Sequence, residues 1–362
     1  GDSRFKISLK LWGKMTHNDM RKTGILHTAG HDLWYESPPE IDWENLKGNI
    51  CSLNMAGWGE PLDRSTLWAQ LARSKTMIIV LVDHKQTQPQ ILNMQTEVTL
   101  GWTGSNREYP AHWAHAPAKN KNIGGIAVGI HPALARYAQR NATNGIDPRG
   151  WGRWTGVTLI GRKKKIVIIG TYGPTPNLKE EAENSMWQTQ LIAMERVPEH
   201  DRAANPKAQY TQDLTETIAK LRSQNFTVIL AGDTNMNLLK QDALVGEWKA
   251  KMSELNMRDT FVQWWPQLTD SASTWQNGTS KARIDQIYID EKACYEGCVL
   301  GAGIETGRTC YKSDHNMIGT RVNFTKLLGR VHGMPALYAP RQRIVKASIK
   351  AHKILYSEIA DK

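Results

Sequence analysis

The segment Met77-Ile78-Ile79-Val80-Leu81-Val82 limits the possible folds more than any other part of the sequence. It is apolar throughout, largely β-branched and without alternation, which is the pattern of a strand buried on both faces. Phe226–Ala231 has the same character. Asn49–Met55, Gly125–Ile130, Thr155–Ile160, Lys165–Thr171, Ile284–Ile289 and Met317–Val322 read as further strands, and Gly161-Arg162-Lys163-Lys164 reads as a basic hairpin turn. Between them, Asp63–Ser74 carries Leu67, Leu71 and Ala72 at helical spacing. Lys179–Arg196, Tyr210–Arg222 and Asp242–Leu255 read as helices too, the second with Leu214, Ile218 and Leu221 in register. No internal repeat is visible. Short strands interrupted by helices predict two packed mixed sheets with helices outside them, a four-layer α/β sandwich over residues 48–324.

Composition removes several alternatives. With 362 residues and 40% apolar content the chain has enough material for a large core, and disorder is not the default. No run approaches the roughly 18 apolar residues of a membrane span. Four cysteines (Cys51, Cys294, Cys298 and Cys310) make no disulfide framework and point to a reducing compartment. Cys294-x3-Cys298 with Cys310 and His315 lacks the usual C-x2-C spacing of a zinc site. Asn141, Asn225, Asn277 and Asn323 each begin an Asn-x-Thr triplet, but the first residues carry no secretory pattern, so these read as chance matches.

The charge is informative and uneven. Lys and Arg number 46 against 35 Asp and Glu, a formal net of +11, which favours a polyanionic partner. Residues 1–47 are neutral and contain Ser37-Pro38-Pro39, as an irregular extension would. Residues 48–324 carry +5 and the last 38 residues +6. In that basic tail Val345, Ile349, His352, Tyr356 and Ile359 fall at helical spacing while Arg341, Arg343, Lys346, Lys350 and Lys353 cover other faces. It reads as an amphipathic helix that docks on the body, belongs to a longer chain, or meets nucleic acid or a membrane.

The candidate chemistry lies at strand ends. Ile229-Leu230-Ala231 runs into Gly232-Asp233-Thr234-Asn235, so an apolar strand finishes in a carboxylate and an amide two residues apart. Met77–Val82 ends in Asp83-His84-Lys85, Asp285 interrupts Arg283-Ile284-Asp285, and Ser313-Asp314-His315 precedes the last strand. Asn54 closes the first strand, and Tyr172 follows another in Tyr172-Gly173-Pro174. Each alone is explained by a turn or a structural histidine. Together they supply four carboxylates, two amides, a tyrosine and a histidine, the inventory of Mg²⁺-assisted phosphodiester hydrolysis.

In this order the motifs resemble those of the endonuclease/exonuclease/phosphatase superfamily. They are Ser52-Leu53-Asn54-Met55-Ala56-Gly57, the Asp83 strand end, Tyr172-Gly173-Pro174, Gly232-Asp233-Thr234-Asn235, Arg283-Ile284-Asp285 and Ser313-Asp314-His315. Gly124-Gly125-Ile126-Ala127-Val128, Gly152-Arg153-Trp154 and Thr274-Trp275 add weaker likeness. Within that superfamily the chain is most similar to the apurinic-type endonuclease domains of LINE-type retrotransposons. The resemblance implies a DNase I-like fold and a nuclease that nicks DNA to leave a 3′-hydroxyl, with RNA as an alternative substrate. It implies Mg²⁺, or alternatively Mn²⁺, held by Asp83 and Asp314. Asp233 would orient or deprotonate the attacking water with Asn235 beside it. His315 would contact the scissile phosphate, held by Asp285, and Asn54 and Tyr172 would hydrogen-bond phosphate oxygens. The implied location is intracellular, nuclear for a retrotransposon endonuclease and otherwise organellar, with residues 1–47 or 325–362 joining a larger assembly.

Two positions depart from the pattern. Asp83 stands where the family usually has Glu, which sets the carboxylate back by roughly 1.5 Å, and Ala56 replaces a frequently polar residue. Two further readings therefore stay open: a catalytically impaired relative that binds nucleic acid or builds an assembly, and the same fold acting on another phosphodiester or phosphomonoester. Fourteen Trp against four Phe is an unusual balance. Trp102, Trp113, Trp151, Trp154, Trp264 and Trp265 fall in or beside predicted loops, available either to packing or to base stacking.

Overall fold

Among the described residues, eleven strands form two sheets that bury an apolar layer between them. The computed structural model describes residues 46–103, 111–118, 124–139, 144–162, 164–176, 185–195, 205–305 and 311–329. Residues 1–45 of the N-terminal extension, the start of the 179–196 helix, Cys310 and residues 330–362 of the tail lie outside those residues, whereas Lys47 opens the first strand and Phe324–Leu328 form a short helix. The first sheet has the order β12 (Val299–Glu305), β13 (Met317–Asn323), β1 (Lys47–Asn54), β2 (Thr76–Val82), β4 (Ile126–Ile130), β3 (His112–Ala116). The second has the order β5 (Trp154–Ile160), β6 (Lys165–Tyr172), β7 (Phe226–Asp233), β11 (Asp285–Asp290), β8 (Met257–Asp259). Each contains one parallel pair, β1 with β2 and β6 with β7, among antiparallel neighbours. A small hairpin, β9 (Trp275–Asn277) and β10 (Ser280–Ala282), stands apart.

The pleat explains why the strands are apolar on both sides. Ile78, Val80 and Val82 of β2 join Ile166 and Ile168 of β6 and Ile229 of β7 in the layer between the sheets. Ile79 and Leu81 face the other way, onto Leu67, Trp68, Met94 and Trp102 from the helices Pro61–Arg73 and Ile91–Thr103. Val167, Val228 and Leu230 pack beneath Tyr210, Leu214 and Trp248 from the helices Pro206–Ser223 and Ala243–Glu254. Helix, sheet, sheet, helix: these are the four expected layers. Gly170 lets the sheets approach, since a Cβ there would lie 2.7 Å from Val128 and 2.9 Å from Val80.

Helix boundaries follow local chemistry. The helix expected from Tyr210 begins a turn earlier, at Pro206, because Asn205 caps it by accepting from the Lys207 and Ala208 amides. Asp242 caps the next in the same way through the Val245 amide. Several elements were not anticipated, among them β8, β9, β10 and short helices such as Thr260–Trp264; three others show why. In Ile91–Thr103 an apolar stripe of Ile91, Met94, Val98 and Trp102 is obscured by Gly101 and threonines, yet a Cβ at Gly101 would lie 2.4 Å from the Trp68 ring. The edge strands β3 and β12 are only half-buried, and β12 carries two glycines. Among the tryptophans suggested for loops, Trp102 and Trp154 are core residues, whereas Trp264 and Trp265 are 42% and 39% exposed. Among the described residues no helix is long and apolar enough to cross a membrane.

Candidate active site

Parallel strands put their carboxyl ends side by side, and in this sandwich both parallel pairs finish in polar residues. Asn54 ends β1 opposite Val82, next to Asp83, and Tyr172 pairs with Asp233 at the ends of β6 and β7. Because β11 runs antiparallel to β7, its first residue, Asp285, lies beside Asp233. β13 runs antiparallel to β1, so Asp314 and His315, just before it, return to the end of β1. Topology therefore delivers all of the expected residues to strand ends.

Asp233 is the hub. Its Oδ2 accepts from the Asn54 amide at 2.8 Å, a bond from one sheet to the other, and its Oδ1 accepts from the Asn235 backbone N–H at 2.8 Å. Asn54 is oriented in turn, since its Oδ1 accepts from the Ala56 N–H at 2.9 Å. Asn235 adopts a left-handed φ of 53° and donates its amide to the Gly173 carbonyl at 2.8 Å. Gly173 donates back to the Asp233 carbonyl at 2.8 Å. Burial pushes the Asp233 carboxyl up to about 7, with the Asp285 charge adding to it and His315, Asn235 and Asn54 opposing.

Opposite stands a histidine–carboxylate pair. His315 Nδ1 lies 2.8 Å from Asp285 Oδ2, and both side chains are buried. Burial alone would lower the imidazole, but the Asp285 carboxylate, helped by Asp233 and Asp314, carries it up to about 9, so it is a cation at neutral pH. Thr274 fixes Asp285 by accepting from the Ile284 and Asp285 amides at 3.0 Å each. Ser313 accepts from the His315 N–H at 3.1 Å and donates to the Asn54 carbonyl at 2.7 Å, tying this loop to β1. Ligand atoms of Asp233, Asp285 and His315 all lie within 4.8 Å of one another. Behind them Asp285 Oδ1 and Arg283 Nε, buried and without protein hydrogen-bond partners, line a cavity of about 10 Å³, close to the space that one water needs.

Asp83 and Asp314 stand outside that group, each with partners of its own. Asp83 accepts from the Gly124 N–H at 3.0 Å and faces Lys85 Nζ at 3.6 Å. Burial lifts it to about 6 against the pull of Lys85 and Gly124. Asp314 Oδ2 accepts from the Trp275 indole at 2.7 Å, and its Oδ1 lies 3.9 Å from His315 Nε2. The Tyr172 hydroxyl is pushed well up by burial and by the charges of Asp83, Asp233, Asp285 and Asp314 together. Four carboxylates bearing on one hydroxyl are a hard-oxygen, acid-rich set, and they fit a hard divalent cation. No cysteine joins a metal-type cluster among the described residues, and burial holds the Cys294 thiol up at about 11.

Sequence reasoning overlooked Thr274, which fixes Asp285, and three further contributors. Trp275, Ser313 and Lys85 each touch a candidate residue, yet none carried a role. Their signal was adjacency: Thr274-Trp275 precedes Arg283-Ile284-Asp285, Ser313 opens its motif, and Lys85 lies two residues past Asp83.

Fold and site together define a DNase I-like α/β sandwich with a carboxylate-, amide- and histidine-lined rim. The chain belongs to the Endonuclease/Exonuclease/phosphatase family, whose model matches residues 51–315. Members of this family are typically hydrolytic nucleases and phosphatases, and its nucleases generally use divalent metals. Among solved structures, the AP endonuclease LMAP from Leishmania major is similar at TM-score 0.57 and 15% identity, over 80% of this chain and 91% of that one. The APE2 catalytic domain of Xenopus laevis gives 0.54 and 15%, over 76% and 91%. A 3′ phosphatase, NExo from Neisseria, bound to a product DNA hairpin, gives 0.51 and 14%, over 75% and 98%. No curated protein matched by sequence.

Proposed function

We propose that the chain is a divalent-metal-dependent phosphodiesterase acting on DNA, an endonuclease that nicks one strand to leave a 3′-hydroxyl. The observation that carries this reading is the placement of Asp233. It is clamped by Asn54 and Asn235 and lies within 4.8 Å of the His315–Asp285 pair. Such an arrangement pairs a carboxylate able to take a proton from water with an imidazolium able to meet a phosphate oxygen. Asn54 and Tyr172 supply neutral donors for the other oxygens. Asp83 and Asp314 would hold Mg²⁺ or Mn²⁺, which supplies charge neutralisation at the phosphate. The body's surplus of cations is consistent with a polyanionic substrate, and one fold neighbour is described as bound to DNA.

Supercoiled plasmid incubated with Mg²⁺ is expected to become open circle, with nicks that a polymerase extends directly. Asp233→Asn should slow this by about 10²–10⁴-fold; an unchanged rate in that variant would sink the assignment. A second reading, binding without cutting, is favoured by the shorter Asp83 and its engagement with Lys85. It predicts duplex retention with no open circle at any Mg²⁺ or Mn²⁺ concentration.

A further inference from the structure

The ends of β1 and β2 are knotted by an unusual backbone. Ala56, Asp83 and Lys85 all adopt left-handed φ angles, 48°, 51° and 56°, although none is glycine. Each such residue costs about 1 kcal/mol or more unless its surroundings enforce it. Here they do: Gly57 N–H donates to the Asp83 carbonyl at 2.8 Å, and Lys85 N–H donates to the Gly124 carbonyl at 2.9 Å. Between them His84 is buried against Gly125, where a Cβ would lie 2.5 Å from the imidazole. The turn so made brings Lys85 Nζ to 3.6 Å from Asp83 Oδ2 and lets it donate to the Ala56 carbonyl at 3.3 Å. The other Asp83 oxygen is held by Gly124.

We propose that Lys85 is a resident counter-ion of Asp83, one that a substrate phosphate draws away, so that metal and nucleic acid bind cooperatively. This rests on the metal-dependent reading above. An ammonium beside Asp83 opposes a divalent ion at the same carboxylate by direct repulsion. Its flexible four-carbon stem and 30% side-chain exposure allow it to change partners without unfolding the turn. A phosphodiester at the rim is the competing partner of matching charge. Because coupling is reciprocal, whatever substrate gains by taking Lys85 appears as tighter metal binding.

Free Mn²⁺ measured by electron paramagnetic resonance tests this without relying on turnover. Comparison in the Asp233→Asn background keeps a short DNA duplex bound rather than cut. Without DNA, Lys85→Met is expected to bind Mn²⁺ about tenfold more tightly, within the usual range of coupled sites, and Lys85→Gln should follow it. Saturating duplex should tighten Mn²⁺ binding by a similar factor when Lys85 is present and by little when it is replaced. Equal or weaker Mn²⁺ affinity in both DNA-free variants overturns the proposal, as does a bound duplex that leaves the Lys85 protein's affinity unchanged. Asp83→Asn reports separately on the underlying assignment, because unaltered Mn²⁺ binding there removes Asp83 from the metal site altogether.

Discussion

Asp233 and His315 face each other with protonation states displaced in the same direction by different causes. Burial and Asp285 lift the carboxyl to about 7, whereas Asp285 overcomes burial to lift the imidazole to about 9. A base must be ionised and a phosphate-binding imidazole protonated, so the nicking rate is expected to rise with pH up to about 7 and to fall above about 9. A bound cation draws the lower limb further down. In Asp285→Asn the histidine loses its main support and the upper limb should move toward its ordinary value near 6.5; an upper limb that stays near 9 would show that another group sets it. Rates at intervals across that range, at fixed metal excess, make the measurement.

Turns after strands hold the site's precision. Gly173 shows how tightly: a Cβ there would lie 2.2 Å from the Thr234 carbonyl oxygen, which is backbone and has little freedom to retreat. Gly173→Ala is therefore expected to lose about 1–3 kcal/mol of stability. It should also slow nicking by up to about 10²-fold through displacement of Asn235, which hangs from the Gly173 carbonyl. Normal nicking with normal urea stability would contradict both. At this scale the sequence was legible where one force dominates. β2, β6 and β7 could be read because both faces are buried, and Asp233 because nothing apolar explains a carboxylate at that strand end. The helix Ile91–Thr103 could not, because Gly101 answers to the Trp68 ring rather than to helix propensity. The partnership of Trp275 with Asp314 was equally hidden, since 39 residues separate them and only the hairpin's placement joins them.

Across the whole molecule, buried ionisable groups pull stability in opposite directions. Burial holds His84 and His131 at about 4, and burial with the neighbouring His84 and His112 charges holds His115 at about 3. Each is depressed below the unfolded value near 6.5, so its contribution is complete above about 6.5 and is lost as pH falls toward 4. Asp83 and Asp233 are raised above their unfolded values, so the native state holds extra protons and gains stability as pH falls from about 7 toward 4. His315, raised to about 9, contributes below about 6.5 and loses that contribution as pH climbs through 9. Without divalent metal the urea midpoint is thus expected to differ little between about pH 7 and about pH 5. With excess Mg²⁺ keeping the carboxylates ionised it should fall on acidification; parallel profiles with and without metal would count against this. The order of the first sheet has one more consequence, for synthesis. β1 is flanked by β2 and by β13, Leu46 donates to Thr325, and Ser313 reaches back 259 residues to Asn54. A nascent chain that has not yet reached residue 313 can already hold Asn54, Asp83, Tyr172 and Asp233, but it has no His315 and an open edge beside β1. The complete rim is absent from any nascent chain that has not yet reached β13, and it forms when that strand slots between β12 and β1, which precede it in the chain.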